Sequence, residues 1–215
     1  MVVVPAGNFE MGSVNVVTEM PMHQVTIARF AIGKTEVTQK QWRTIMDTSP
    51  SGFPNCGDCP VEKVSWNDAQ EYLQRISKIS GQTYRLPTES EWEYSCRAGG
   101  SKSSYCGSEE GDDVAWHLEN SGGTTHGVAK KKPNAFGLYD MSGNVWEWVQ
   151  DCWTDNYQGA SAIGGARFIP ECPQRVLRGG SWSFSLKGAK VSKRKGADAI
   201  VQMVDIGFRV ARNLP

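Results

Sequence analysis

Helical periodicity in this sequence is confined to its first half and does not return after Gly99. Before that point, three Ser or Thr residues each open a capping box that is followed by apolar residues at helical spacing. These predicted helices begin after Thr38, Ser65 and Thr88, and the second ends at Gly81. The remainder of the chain is rich in glycine and tryptophan. This part of the chain must therefore consist of short strands and irregular backbone, which hydrogen bonds, aromatic packing or metal ions hold in place.

Glycine and proline residues also bound a set of short apolar runs, and this pattern predicts strands rather than helices. The early runs are residues 2–5, 8–11 and 23–32, and the late ones lie within residues 137–148, 175–182 and 207–211. No change in composition and no internal repeat divides the 215 residues. We therefore expect a single α+β domain over residues 1–215, with two longer helices early and short strands late.

The charge balance narrows the class of partner. Lys plus Arg and Asp plus Glu each total 23, so the net charge is zero, whereas proteins that bind nucleic acid or anionic membranes usually carry a basic excess. The longest uninterrupted apolar run is residues 1–4, far short of the about 20 residues that cross a bilayer. No signal-peptide pattern is visible at the start of this chain. We expect no nucleic-acid partner and no membrane span.

The six cysteines allow several pairings, and sequence alone does not choose among them. They are Cys56, Cys59, Cys96, Cys106, Cys152 and Cys172. The closest pair, Cys56 and Cys59, is followed by Pro60 and not by a helix whose dipole would activate a redox thiolate. A zinc site would need a second ligand pair, and none occurs. The pattern favours a structural thiol pair or disulfide.

Asp140 and Glu147 are the first candidates for a metal site. Gly143 lies between them, where the backbone can turn carbonyl oxygens toward one point. Calcium takes six to eight oxygen ligands, and carboxylates with carbonyls suit it. The residues alone favour another interpretation, in which the two carboxylates accept hydrogen bonds from backbone amides or pair with arginine.

Two other patterns have ordinary structural interpretations. The glycines of the RGGSW sequence at residues 178–182 indicate a close approach of another backbone or an aromatic ring, and not ligand contact. Basic residues cluster at residues 187–195 and 130–132, and such charge runs are usually solvated faces. No Walker, GxGxxG or GxSxG sequence occurs, so no motif in the sequence indicates nucleotide binding or a hydrolase.

Seven motifs follow one another in a set order along nearly the whole chain. They are VPAGNFEMG at 4–12, EVT at 36–38, PVEKVSW at 60–66, YRLPTESEWEY at 84–94, NAFGLYDMSGNVWEW at 134–148, RVLRGGSW at 175–182 and GFRVA at 207–211. This order closely resembles the formylglycine-generating-enzyme (sulfatase-modifying factor) family. The resemblance implies the C-type-lectin-like fold in its formylglycine-generating-enzyme variant, which has little regular secondary structure.

The resemblance also shows where this chain departs from the family's enzymes. Those enzymes use a cysteine pair between the RGGSW-like and GFR-like strands, which here bound residues 183–206, and this segment contains no cysteine. A thiol nucleophile or copper–thiolate site needs sulfur there, so we expect no catalysis and no copper. The family's second calcium site does carry over, which implies a structural Ca²⁺ bound by the side chains of Asp140 and Glu147 and the carbonyls of Gly143 and Val145. The first calcium site does not map clearly onto residues 116–129.

Ordinary motifs flank an idiosyncratic segment near the C terminus, and this arrangement resembles the variable proteins of diversity-generating retroelements. The implied function is non-catalytic display of a variable ligand-binding segment, residues 183–206, to a protein or other surface ligand. The resemblance further implies a monomer at the cell surface or outside the cytoplasm, as a lipoprotein if a signal precedes this chain. The alternatives are an oxidase-type enzyme related to formylglycine-generating enzyme, or a structural pseudo-enzyme subunit.

The residues that we assign to the binding surface all lie in that segment. They are Ser183, Phe184, Ser185, Gly188, Lys193, Lys195, Gly196, Ala197, Asp198, Val201, Gln202, Val204 and Asp205. Mutation of adenines alone in an Asn codon that ends in a pyrimidine cannot give Lys or Gln. The lysines and Gln202 are therefore fixed or derive from other codons. Ile200 and Ile206 are as consistent with a core position as with a surface position.

Overall fold

The computed structural model describes residues 1–214. The helices are α1 Gln39–Met46, α2 Trp66–Ser80, α3 Glu89–Cys96 and α4 Gly111–Val114. The strands are β1 Val2–Val4, β2 Gly7–Met11, β3 His23–Ile27, β4 Phe30–Ile32, β5 Ala115–Trp116, β6 Ser142–Gly143, β7 Trp146–Cys152, β8 Gln174–Arg178, β9 Arg194–Asp198, β10 Ile206–Phe208 and β11 Ala211–Asn213. The expected α+β class is confirmed. No helix within residues 1–214 has the length and apolar character needed to cross a membrane.

The three predicted helices are confirmed together with their caps. In each, the side chain of the capping Ser or Thr accepts a hydrogen bond from the backbone amide of the third helical residue. The side chain of that third residue accepts a hydrogen bond from the backbone amide of the cap. Gly81 ends α2 in the left-handed conformation, with φ of 69°. The short helix α4 lies in a polar stretch for which no helix was predicted, because four residues are too few to show a period.

A four-stranded sheet in the order β10-β7-β8-β9 forms the centre of the fold. β10 runs parallel to β7, whereas β8 runs antiparallel to both β7 and β9. Three smaller sheets, β1-β4-β11, β2-β3 and β5-β6, surround it. The prediction of one strand over residues 23–32 was wrong. Two consecutive exposed residues, Ala28 and Arg29, interrupt the alternation, so β3 and β4 join different sheets.

Opposite faces of the central sheet contribute to separate hydrophobic clusters. Trp146, Trp148 and Phe208 pack with side chains of α1 and α2, and the Trp42 and Tyr72 rings stack there at 5.5 Å. Val149 and Val176 belong to the other cluster, together with Trp92 and side chains of β2 and β3. The sheet is therefore held rigidly from both sides, which fixes the positions from which the loops leave it.

Every cysteine in the described part of the chain is in a disulfide. The pairs are Cys56–Cys59, Cys96–Cys106 and Cys152–Cys172. The interpretation of Cys56 and Cys59 as a structural pair is confirmed. The third disulfide joins the end of β7 to the loop before β8.

The paired glycines after β8 serve packing, as predicted. Gly179 and Gly180 have φ of 95° and 78°. A Cβ on Gly179 would lie 3.2 Å from the Trp92 ring, and one on Gly180 would lie 2.7 Å from the carbonyl oxygen of Gly188. The chain passes this close to itself where the segment at residues 183–206 begins.

We expect Gly180→Ala to lower the free energy of unfolding by about 2–4 kcal/mol, because a left-handed non-glycine residue and a backbone clash are both costly. Gly81→Ala is the matched control. Its φ is also positive, at 69°, but nothing lies within 4 Å of an added Cβ, so its cost is about 1 kcal/mol. Urea unfolding measures both losses. Equal losses would contradict a close approach at Gly180.

Candidate ligand-binding surface

The segment at residues 183–206 runs between two fixed strands of the central sheet. It leaves through the Gly179–Gly180 turn, forms a 3-10 turn at Leu186–Ala189 and returns to the sheet as β9. β9 pairs with β8 over five residue pairs and forms one edge of the sheet. The segment ends where Ile206 begins β10, which is completely buried. Both ends of the segment are thus anchored in the core.

Between these ends, the backbone of the segment is hydrogen-bonded to the rest of the fold. The contacts are Leu118 N to Phe184 O at 2.9 Å, Val191 N to Ser104 O at 3.0 Å, Ala199 N to Pro173 O at 3.0 Å, Lys63 N to Met203 O at 3.0 Å and Trp182 Nε1 to Val204 O at 3.1 Å. Each contact uses a backbone atom of the segment. Replacement of the segment's side chains at these positions would leave the hydrogen-bonding groups in place.

Five of the thirteen residues predicted to bind a ligand are exposed, whereas Ala197 and Val201 pack against the core cluster and a Cβ on Gly196 would lie 2.7 Å from the Trp153 ring. Phe184 is 38% exposed, and Ser185, Asp198, Gln202 and Val204 are also exposed. The half-buried members are Ser183, Gly188, Lys193, Lys195, Gly196, Ala197 and Val201. Of the two isoleucines that were consistent with either a core or a surface position, Ile200 is on the surface, at 75% exposed, and Ile206 is fully buried in the core.

Asp205 differs from the other predicted binding residues because it is buried. Its Oδ2 accepts hydrogen bonds from the hydroxyls of Ser181 at 3.1 Å and Ser183 at 2.9 Å. Its backbone carbonyl accepts the amide of Trp146 at 2.8 Å. The placement of Asp205 on the binding surface is therefore corrected: this residue holds the end of the segment from beneath.

Arg194 is the second internal anchor of the segment. Its guanidinium forms two hydrogen bonds with the Glu89 carboxylate, at 2.7 and 2.8 Å, and donates to the carbonyls of Thr18 and Thr154, both at 2.9 Å. Burial has the largest single effect and lowers the pKa of Arg194, but the charges of Glu89 and Tyr157 and the hydrogen bonds to Glu89 together outweigh it, so the net pKa shift is upward. The group stays charged, and it fixes β9 to α3 from inside the protein.

Three aromatic side chains lie at the surface of this region beside Lys195 and Val204. We call these five residues, Phe53, Trp182, Phe184, Lys195 and Val204, the aromatic surface, of which Phe184 and Val204 are exposed and the others half-buried. The rings of Phe53 and Trp182 meet edge to face at 5.3 Å. Phe184 meets the buried Trp146 edge to face at 5.6 Å, and the Lys195 ammonium lies 5.1 Å from the Phe184 ring. Val204 lies against Gly52. Contact area of this kind is typical of protein recognition.

Two buried polar atoms beneath this region have no hydrogen-bond partner within residues 1–214. They are the indole Nε1 of Trp146 and Oδ1 of Asp205. An unpaired buried donor or acceptor costs about 1–3 kcal/mol.

Sequence reasoning missed the contributions from outside the segment. Phe53 lies in the loop between α1 and α2, and Leu118 follows β5 and is 54% exposed. Neither residue is part of a periodic pattern. Only the three-dimensional fold brings them to the segment, through the Phe53–Trp182 contact and the hydrogen bond from Leu118 to Phe184.

The predicted calcium ligands lie around a buried acidic cluster that also contains Glu36. Both Glu147 oxygens accept hydrogen bonds from Arg209, at 2.6 and 2.7 Å, and one also accepts Trp92 Nε1 at 2.8 Å. Burial, followed by the charges of Asp140 and Glu147, raises the pKa of Glu36 well above its usual range. Burial raises the pKa of Asp140 to about 6.

These residues fit a calcium ion only in part. Asp140 accepts the Ala129 amide at 2.7 Å through Oδ2, while its buried Oδ1 has no partner in the described residues. Glu147, in contrast, is committed to Arg209. Within residues 1–214, no three Asp, Glu, His or Cys side chains are arranged to hold a metal. The contacts match the simpler sequence interpretation, in which one carboxylate binds a backbone amide and the other pairs with arginine.

The fold and the motifs together define the class of protein. It is a protein with the C-type-lectin-like fold in its formylglycine-generating-enzyme variant. Over residues 1–214 the chain matches the family described as the Sulfatase-modifying factor enzyme 1-like domain, and it belongs to that family. The resemblance inferred from the ordered motifs is confirmed.

Three known proteins illustrate the range of this family. The structure of Treponema denticola variable protein 1 superposes with a TM-score of 0.93 at 30% identity, and the alignment covers 100% of this chain and 95% of that one. The chaperone protein LppX of Paenibacillus barcinonensis is 35% identical over 88% of this chain and 82% of its own length. The formylglycine-generating enzyme of Streptomyces coelicolor is 35% identical over 76% of this chain, which spans 54% of that enzyme.

Proposed function

We propose that this protein is a non-catalytic display protein that binds a protein or other surface ligand through residues 183–206. The observation that carries the proposal is the pattern of contacts in the segment. Its backbone is hydrogen-bonded to the scaffold at Phe184, Val191, Ala199, Met203 and Val204, while five of its predicted binding residues are exposed and seven are half-buried. A segment held in this way can change its side chains without loss of its path.

Rigidity of the segment favours binding because less conformational entropy is lost when the ligand docks. The buried anchors Arg194, Asp205 and Ile206 keep both the middle and the end of the segment in place. The aromatic surface adds apolar area beside polar groups. The similarity to Treponema denticola variable protein 1 supports the same assignment.

The alternative is an oxidase-type enzyme, and the similarity to the Streptomyces enzyme is the observation that favours it. Such chemistry needs a reactive thiolate. In the described residues all six cysteines are in disulfides, and the segment itself has none. We expect no aldehyde when the purified chain is incubated with a cysteine-containing peptide, oxygen and copper. Mass-spectrometric detection of the oxidised peptide would favour the enzyme.

The three disulfides support a location outside the cytoplasm, since such bonds persist in oxidising compartments. We propose the cell surface, with the protein acting as a monomer. The retroelement part of the proposal has a genomic test. The flanking DNA should contain a reverse-transcriptase gene and a near-copy of the 3′ end of this gene that differs mainly at adenines.

We expect the scaffold to tolerate simultaneous randomisation of Ser185, Asp198, Gln202 and Val204. Exposed substitutions usually change stability by less than about 0.5 kcal/mol each, so melting temperatures should stay within about 5 °C of the parent. A library displayed on yeast and screened against one chosen protein, such as hen lysozyme, should yield folded binders.

The matched control for that library randomises four buried residues of the same segment, namely Ala189, Val191, Asp205 and Ile206. We expect most control clones to lose their fold, because these side chains pack in the interior. Equal survival of the two libraries, or failure of both, would contradict a rigid scaffold with a replaceable surface.

We also propose a structural Ca²⁺ bound by the Asp140 carboxylate and the carbonyls of Gly143 and Val145, with water completing its oxygen ligands. EDTA should then lower the melting temperature of calcium-loaded protein by several degrees, since a ligand that binds only the folded state stabilises it. Asp140→Asn is the control. Asparagine tolerates the left-handed φ of 56° at this position, and the variant should show no response to EDTA. An unchanged melting temperature in the parent protein would remove the site.

A further inference from the structure

The structure divides the basic run at residues 187–195 into three parts. Arg194 is buried against Glu89, and Lys195 lies over the Phe184 ring. Lys187, Lys190 and Lys193 turn instead toward a cleft beside β2 and the turn that follows α3. Lys187 and Lys190 are exposed at the cleft, and Lys193 is half-buried.

The cleft, which we call the basic cleft, has a volume of about 440 Å³. Ligand sites in proteins usually occupy 300–1,000 Å³. Its lining combines the three lysines and Ser192 of the segment with basic and hydroxyl side chains from the scaffold, namely Arg97, Lys102, Ser13, Ser103 and Ser104. A second cleft of about 290 Å³ shares Ser13, Arg97 and Lys102 with it, so the basic lining continues beyond the first cleft.

The positive charge of the basic cleft is not neutralised within the described residues. None of its four lysines forms a salt bridge there. Arg97 pairs with Glu93 at 2.8 Å. Glu19 is the acidic residue of the lining, and it is buried and accepts the Ser13 hydroxyl at 2.8 Å. Glu109 caps the Ser104 amide at 3.2 Å near the cleft.

We infer that the basic cleft binds a small ligand that carries sulfate or phosphate ester groups. Four lysines that line one cleft raise the local concentration of anions there, and serine hydroxyls can donate hydrogen bonds to the anion oxygens. A concave site of this size holds a mono- or disaccharide-sized group and not a nucleic-acid duplex, and the net charge of the chain is zero. The cleft shares Lys193 with the proposed display surface, whereas Lys102 and Arg97 belong to the scaffold, so loss of display binding would leave the scaffold side of the cleft in place.

Isothermal titration with glucose 6-phosphate and with a sulfated disaccharide tests the inference and separates the two ester classes. The parent protein should bind at least one probe, with affinity that falls as salt rises. The triple variant K187Q/K190Q/K193Q should bind at least about tenfold more weakly, because it removes three of the four lysine charges that line the cleft.

The matched control is K130Q/K131Q/K132Q, which makes the same change in net charge at the other lysine run. It should retain the parent affinity and salt dependence. Equal losses in the two triple variants would show that only net charge matters and would overturn the inference. Absence of binding to both probes at about 10 mM, where even sub-millimolar affinity is easily measured, would also overturn it. Circular dichroism on each variant confirms that it is folded.

Discussion

Replacement of Arg209 by methionine should lower the free energy of unfolding by about 3–5 kcal/mol, the usual cost of removing one partner from a buried ion pair. Arg209 is completely buried and binds both oxygens of the equally buried Glu147. It also donates to the carbonyls of Gly33 at 3.1 Å and Tyr139 at 3.0 Å.

The loss is large because Arg209 opposes several negative charges at once. Its charge lowers the pKa of both Glu36 and Asp140, against the stronger upward effect of burial. Without the guanidinium, the three carboxyl groups of the acidic cluster would remain buried together and would lose the cation that offsets their charge. A stability of 5–15 kcal/mol is typical of a whole domain, so the variant should be partly unfolded under mild conditions.

Two further substitutions make this prediction specific. Arg209→Lys keeps the charge but loses the two-pronged geometry, so it should recover only part of the stability. Arg212→Met lies in the next strand, where the guanidinium contacts the exposed Gln82 side chain, and it should cost less than about 0.5 kcal/mol. Guanidinium chloride unfolding measures all three. Similar losses for Arg209→Met and Arg212→Met would mean that the buried pair is not important for stability.

The helices could be predicted because their signals are local. In α2, the cap Ser65, its partner Asp68 and the terminal Gly81 all lie within one helix length of each other. β9 shows the opposite case. Its sequence, RKGAD, has neither alternation nor β-branched residues, and it forms a strand because β8 lies beside it. A strand that depends on a distant partner leaves little local pattern.

The same limit applies to the candidate site. Exposure of Phe184 and Asp198 could be predicted, since the segment departs from motifs that are otherwise ordinary. The burial of Asp205 could not, because it depends on hydroxyls of Ser181 and Ser183 that the turn brings beneath the surface. The partner of Arg194 is 105 residues away in sequence. No spacing rule connects two such residues.

The second large effect is expected at Arg194, inside the segment that we propose to be replaceable. Arg194→Met should lower the free energy of unfolding by about 3 kcal/mol, toward the lower end of the range for buried ion pairs. Glu89 would keep a weaker contact with Arg178 at 3.3 Å. The carbonyls of Thr18 and Thr154 would lose their donor. The loss therefore combines a half-unpaired carboxylate with two unsatisfied acceptors.

Lys195→Met is the matched control, because it removes one positive charge from the adjacent position of the same strand. Lys195 is half-buried and forms no salt bridge within residues 1–214, and its ammonium lies over the Phe184 ring at 5.1 Å. A cation–ring contact at a partly exposed site contributes about 0.5–1 kcal/mol, so urea unfolding should separate the two variants by about 2 kcal/mol or more. A comparable loss at both positions would mean that the whole strand supports the fold. Residues 183–206 could not then change freely, and a division between fixed anchors and replaceable side chains would be untenable.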